Sequence, residues 1–274
     1  IGGCPVQGGV QMLGKLLKYE IKATGRIFLP LYLVLILFAI VNYFMGFSSG
    51  EFTSTQFITF TLYILILVGM FVISFVVMVQ RFYKNLLSEE GYLSFTLPVE
   101  PWKHIVCKLM VSSMWTILSV ITAIISVIII AMQEVTLGEI FKGISNVWSM
   151  MYQEFGDKLY MYVIQVVAGI IVVLATSTLI LYAAMAIGHL SNNHKVLASI
   201  GSFLGLYTLG QILASLIFLL PLFKNQKSYS YINSMGFQEL PAGFIWGAIA
   251  LSAVYDLVYF IITNHILNKR LNLE

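Results

Sequence analysis

Long apolar runs alternate with shorter polar intervals along this chain. Six runs, about 27–46, 57–79, 110–132, 159–187, 196–221 and 243–265, each reach the roughly 20 residues that a helix needs to cross hydrocarbon. The fourth and fifth exceed that length and are expected to tilt or to project past the bilayer. None of the runs alternates with the period of two that a barrel strand requires. The pattern predicts an all-α polytopic membrane protein with six transmembrane helices, forming a single transmembrane domain over residues 12–274.

Residues 12–26, MLGKLLKYEIKATGR, follow a different rhythm. Leu13, Leu16, Leu17 and Ile21 recur at helical spacing, and Lys15, Lys18, Lys22 and Arg26 keep the same period on another face. Such a segment suits the cytoplasmic lipid surface, where anionic headgroups attract lysine. It is read as an interfacial amphipathic helix; the alternative is a charged flank of the first span. Residues 1–11, IGGCPVQGGVQ, are Gly-rich and uncharged, and read as a non-native remnant outside the fold.

Composition sharpens the reading. The 274 residues are 59% hydrophobic and only 10% charged, with mean hydropathy +0.91; soluble domains carry about 25% charged residues. A soluble globular protein is excluded on that balance. Cys4 and Cys107 suggest no disulfide framework.

Charge sets an orientation. With a cytoplasmic N-terminus, the inner segments hold Lys15, Lys18, Lys22, Arg26, Arg81, Lys84, Lys103, Lys108, Lys195, Lys269 and Arg270, which is 11 of the 15 Lys and Arg residues. The outer segments hold Lys142, Lys158, Lys224 and Lys227. Both termini are therefore expected in the cytoplasm. Of the outer segments, residues 133–158 are partly amphipathic: Ile140, Ile144, Val147 and Met151 repeat at three or four and allow a helix on the outer surface.

The longest charged interval is residues 81–108, RFYKNLLSEEGYLSFTLPVEPWKHIVCK. Gly91, Pro98 and Pro101 forbid one unbroken helix. Two short helices, about 81–90 and 101–109, are expected, joined by an extended link. A solvated connector is the plain alternative to a docking surface.

The wording SEEGYLSFTLPVEPWKHIVCKLM resembles the first cytoplasmic loop of bacterial ABC-2 type transporter permeases, over about 25 residues. The resemblance implies six membrane helices preceded by a basic amphipathic helix, in a bacterial plasma membrane. It implies a second permease subunit, identical or homologous. It also implies two ABC ATPase (nucleotide-binding) subunits, which bind ATP and Mg and dock on this loop. Glu89, Glu90, Tyr92, Phe95 and Trp102 are then the candidate ATPase-docking contacts, because aromatic anchors ringed by charge are typical of interfaces.

Polar residues inside the spans mark a candidate substrate path. Asp256 is the one acidic residue well inside a run, and a carboxylate there faces a partner, water or a pathway. Asn42, Gln165 and Gln211 lie nearer the outer ends and either line a vestibule or bond between helices. Thr176, Ser177 and Thr178 are expected to bond back to their own helix. Gly201, Ser202, Gly205 and Gly210 form a small-residue face that permits close helix approach.

Catalytic motifs are missing from the sequence. Gly138 and Gly143 have the glycine spacing of a phosphate-binding loop, but Ile144 stands where its lysine belongs. No H-E-x-x-H or G-x-S-x-G pattern occurs, and His189 and His194 have a weak ligand spacing. The chain is thus expected not to be an enzyme itself and to hold no cofactor or metal. The expectation is a permease that exports an amphipathic or hydrophobic cargo (peptide, lipid or drug, with antimicrobial-peptide export as self-protection one version). An ion-coupled secondary transporter using Asp256 is the alternative.

Overall fold

The computed structural model describes residues 7–46, 53–87, 100–191, 194–224 and 242–269. All regular structure among the described residues is helical. Helix α1 spans Gln7–Met45, α2 Ser54–Phe82 with a π-helical turn Tyr83–Leu87, and α3 Pro101–Ala131. Then come α4 Leu137–Phe155, α5 Lys158–Gly188, α6 Lys195–Lys224 and α7 Ala242–Lys269.

Six of these are long and apolar enough to cross a membrane. In none of the six is more than 28% of the most apolar 18-residue window buried inside the protein. Apolar side chains left outside a fold in such numbers need a hydrocarbon solvent, so the chain is a multi-pass membrane protein.

Three boundaries differ from the expectation. Residues 7–11, expected outside the fold, form the start of α1. Residues 12–26 do not form a separate helix; they run on into the first span as α1, through Pro30. Leu17 and Ile21 pack against a protein core, while Lys15, Lys18, Lys22 and Arg26 stay exposed. The expected short helix 101–109 is the first part of α3. Pro101 opens it at the position where a missing amide hydrogen costs nothing, and no breaker follows.

The chain falls into two compact units: 1–82 with 98–150, and 83–97 with 151–274. In the first, α1 packs on α3 and α2, and α2 on α3. Phe28, Tyr32, Leu35, Ala39, Tyr63, Met70, Val77, Val111 and Trp115 form its core. Trp115 stacks on Phe28 with ring centroids 4.6 Å apart.

In the second unit, α5 packs on α7 and α6. The end of α5 packs closely on the start of α6. A Cβ on Gly188 would collide with Ser199 Oγ and with the Ser199 amide nitrogen, so only glycine fits there.

Candidate functional site

The first unit carries a chain of polar contacts through its helix interfaces. At one end Glu20 of α1 holds two cations: Lys108 Nζ of α3 at 3.2 Å and Arg81 Nη1 of α2 at 3.4 Å. Lys108 is 8% exposed, so its charge depends on that carboxylate. Further along, the Trp115 indole donates to Thr24 Oγ1 at 2.7 Å. Tyr32 OH bonds the Ser119 hydroxyl at 2.8 Å, and Tyr63 OH bonds that of Ser126 at 2.8 Å.

At the other end Asn42 is fully buried. Its amide donates to Phe38 O at 2.8 Å and Thr59 O at 3.3 Å, while Gln133 Nε2 donates to Tyr43 O at 2.9 Å. In hydrocarbon such bonds join helices that dispersion alone holds weakly. Asn42 therefore ties helices together, one of the two roles its sequence position allows.

The second unit brings Gln165 and Asp256 onto one helix pair. A groove of about 310 Å³ between α5 and α7 is lined by Gln165, Gly169, Val172, Ile249 and Ser252 among others. Thr176 and Asp256 lie one helical turn beyond Val172 and Ser252 on those same faces, and the Thr176 hydroxyl interacts with the Asp256 carboxylate. Asp256 Oδ1 is buried with no hydrogen-bond partner. Gln165 and Thr176 are eleven residues apart, about 16 Å along the helix, so they bracket a largely apolar stripe. Gln211 sits apart from that pair, exposed on α6.

The hydroxyl cluster bonds as expected: Thr176 to Val172 O at 2.9 Å, Ser177 to Leu174 O and Thr178 to Leu174 O, each at 3.0 Å. Gly201 and Gly205 face open space, whereas a Cβ on Gly210 would lie 3.6 Å from Tyr259 OH.

Of the docking candidates, Glu89, Glu90, Tyr92 and Phe95 lie outside the described residues. Trp102 is described and 40% exposed. Its indole donates to Glu100 Oε2 at 2.7 Å, and Lys103 Nζ approaches the same oxygen at 3.1 Å. Those two donors, Lys103 foremost, hold the Glu100 carboxyl below its ordinary range. Upstream of the undescribed segment, Tyr83 stacks on His189, whose ring bonds Leu87 O. Each end of the interval is thus fastened, Tyr83–Leu87 within the second unit and Pro101–Lys108 within the first.

The sequence reading did not single out Glu20, Thr24, Trp115 or Ser119. Glu20 had a signal, being the lone acid among the lysines of residues 12–26. The others had none, since their partners lie more than 80 residues away. Among the described residues no three His, Cys, Asp or Glu side chains gather.

Fold and site define the class: a polytopic helical membrane protein whose polar side chains join its spans. No protein-family model, curated protein or solved structure matches the chain.

Proposed function

We propose that this chain is the permease subunit of an ATP-driven exporter of the ABC-2 type. It sits in a bacterial plasma membrane with both termini cytoplasmic, and Lys15, Lys18, Lys22 and Arg26 meet the anionic inner headgroups. The observation that carries the reading is the interval SEEGYLSFTLPVEPWKHIVCK together with the way its ends are fastened. Arg81 and Lys108, on the helices before and after it, share one carboxylate on α1. A push on the interval therefore reaches α1, α2 and α3 together, as a rigid-body transport step needs.

The drive comes from a separate ATPase subunit, which binds ATP and Mg and docks through Glu89, Glu90, Tyr92, Phe95 and Trp102. A second permease subunit, identical or homologous, completes the complex. The groove between α5 and α7 favours a cargo with a large apolar part (a peptide, lipid or drug).

The test is co-purification from the native host in mild detergent, comparing wild type with the triple variant Glu89→Lys, Glu90→Lys, Trp102→Ala. An ATPase retained by wild type and lost from the variant supports the proposal. Absence of any nucleotide-binding partner from wild type in several detergents overturns it.

A second reading rests on Asp256, whose Oδ1 is buried without a partner. A carboxylate so placed suits a proton or cation site in an ion-coupled transporter. Proteoliposome uptake driven by an ion gradient without ATP, and abolished by Asp256→Asn, would establish it.

A further inference from the structure

Helix α4 has a two-sided sequence, and its C-terminal end meets α5 through ring contacts of Tyr152 with Tyr160 and of Phe155 with Tyr162. Over Leu137–Phe155, a single arc of about 120° holds Ile140, Phe141, Ile144, Val147, Trp148 and Met151. The rest holds Lys142, Asn146, Gln153, Glu139 and Glu154, with Met150 the large apolar side chain among them. No residue of α4 is buried in the protein. Phe141 is 69% exposed, Ile144 62% and Val147 57%.

The helix is also locally specified at both ends. Thr136 and Glu139 form a capping box: the Thr136 amide and hydroxyl donate to Glu139 Oε2 at 2.8 and 2.9 Å, and the Glu139 amide donates to Thr136 Oγ1 at 3.3 Å. Gly156 stops it with φ +55°, a conformation that favours glycine. So α4 is specified locally, and Phe141, Ile144, Val147 and Met151 of its apolar arc stay exposed, left for something else.

Tethering says what that is. Five residues, Met132–Thr136, join α4 to the end of α3, and two, Gly156 and Asp157, join it to the start of α5. The two links reach at most about 17 Å and about 7 Å. A 19-residue helix is about 29 Å long, and its polar face bars it from spanning. With both ends held that close to membrane-crossing helices, it cannot stand away from the bilayer.

We propose that α4 lies flat in the membrane interface, with Phe141, Ile144, Val147 and Met151 among the headgroups and upper acyl chains. Tyr152 fits the boundary: its ring closes the apolar arc and its hydroxyl donates to Asp157 at 3.2 Å. One lysine against two glutamates gives the helix a charge of −1, so apolar burial rather than attraction to anionic lipid holds it. The proposal needs only the spanning helices, not the transporter reading.

The test is nitroxide accessibility in the full chain, reconstituted in phosphatidylcholine vesicles, in a Cys4→Ser, Cys107→Ser background. Single labels go at Phe141→Cys, Ile144→Cys and Val147→Cys, and at Lys142→Cys, Asn146→Cys and Gln153→Cys. The first three should collide with oxygen at least about 3-fold more than with a water-soluble nickel chelate, relative to the second three, with a helical period. Equal nickel access on both faces overturns the proposal in favour of a solvated helix. An apolar face shielded from both reagents overturns it in favour of a protein partner such as a second copy.

Discussion

Glu20 is the carboxylate on which two cations of the first unit converge. It pairs with both Lys108 and Arg81 at the junction of three helices. Glu20→Gln leaves Lys108 buried beside a second cation, so it should cost roughly 2–3 kcal/mol. Cys107 supplies the readout: it is 4% exposed and should react with a thiol dye only as the unit opens. In a Cys4→Ser background, Glu20→Gln should shift that transition down by several degrees, and adding Lys108→Met should recover part of the loss. An unchanged transition would show that the ion cluster is not structural. Gly188→Ala is the counterpart in the second unit. The methyl group collides with the Ser199 backbone nitrogen and Cα as well as with its Oγ, and the backbone cannot step aside, which should cost about 1–3 kcal/mol. A variant as heat-stable as wild type would mean that the contact yields.

Among the elements, the start of α3 has a charge state that can be checked. Hydrogen bonds from Lys103 and Trp102 favour the ionised form of Glu100 in the fold, so its folded pKa lies below the ordinary 4.5. The sign follows: this contact contributes above the unfolded pKa and is lost as pH falls through the lower folded one. With 5-fluorotryptophan, the Trp102 resonance should titrate with a midpoint below 4.5, and Glu100→Gln should abolish the step. A midpoint at or above 4.5 would mean that the two donors do not hold the carboxylate in solution.

The spans were legible because hydropathy over 20 residues is a local property. Their ends were less so. The lysine-rich start of α1 suggested a separate helix, but core packing of Leu17 and Ile21 continues the helix past it and through Pro30. Asp256 stood out as a lone acid, yet its contact with Thr176 depends on how α5 and α7 pack, which spacing within one helix does not encode.

For the whole molecule, the two units differ in how their helices are held. The first joins α1, α2 and α3 by an ion cluster and by hydroxyl and indole bonds between helices. In the second, the most apolar windows of α6 and α7 are 0% and 6% buried, against 22% for α3. Tyr255 OH to Gly210 O, at 3.0 Å, is one of the bonds between α6 and α7. Local opening needs less free energy where fewer groups are buried, so α6 should open before α3. Amide hydrogen exchange in mild detergent should show α6 exchanging at least ~10-fold faster than α3, a difference of about 1.4 kcal/mol in opening free energy. The gap should narrow in a lipid bilayer, where acyl chains cover the exposed faces of α6. It should narrow further if a second permease subunit seats on the open Gly201 and Gly205 face. Equal exchange of α3 and α6 in detergent would mean that the polar contacts of the first unit add nothing to its rigidity. The proposed transmission of a push from residues 81–108 through Glu20 would then lose its mechanical basis, whatever partner docks there.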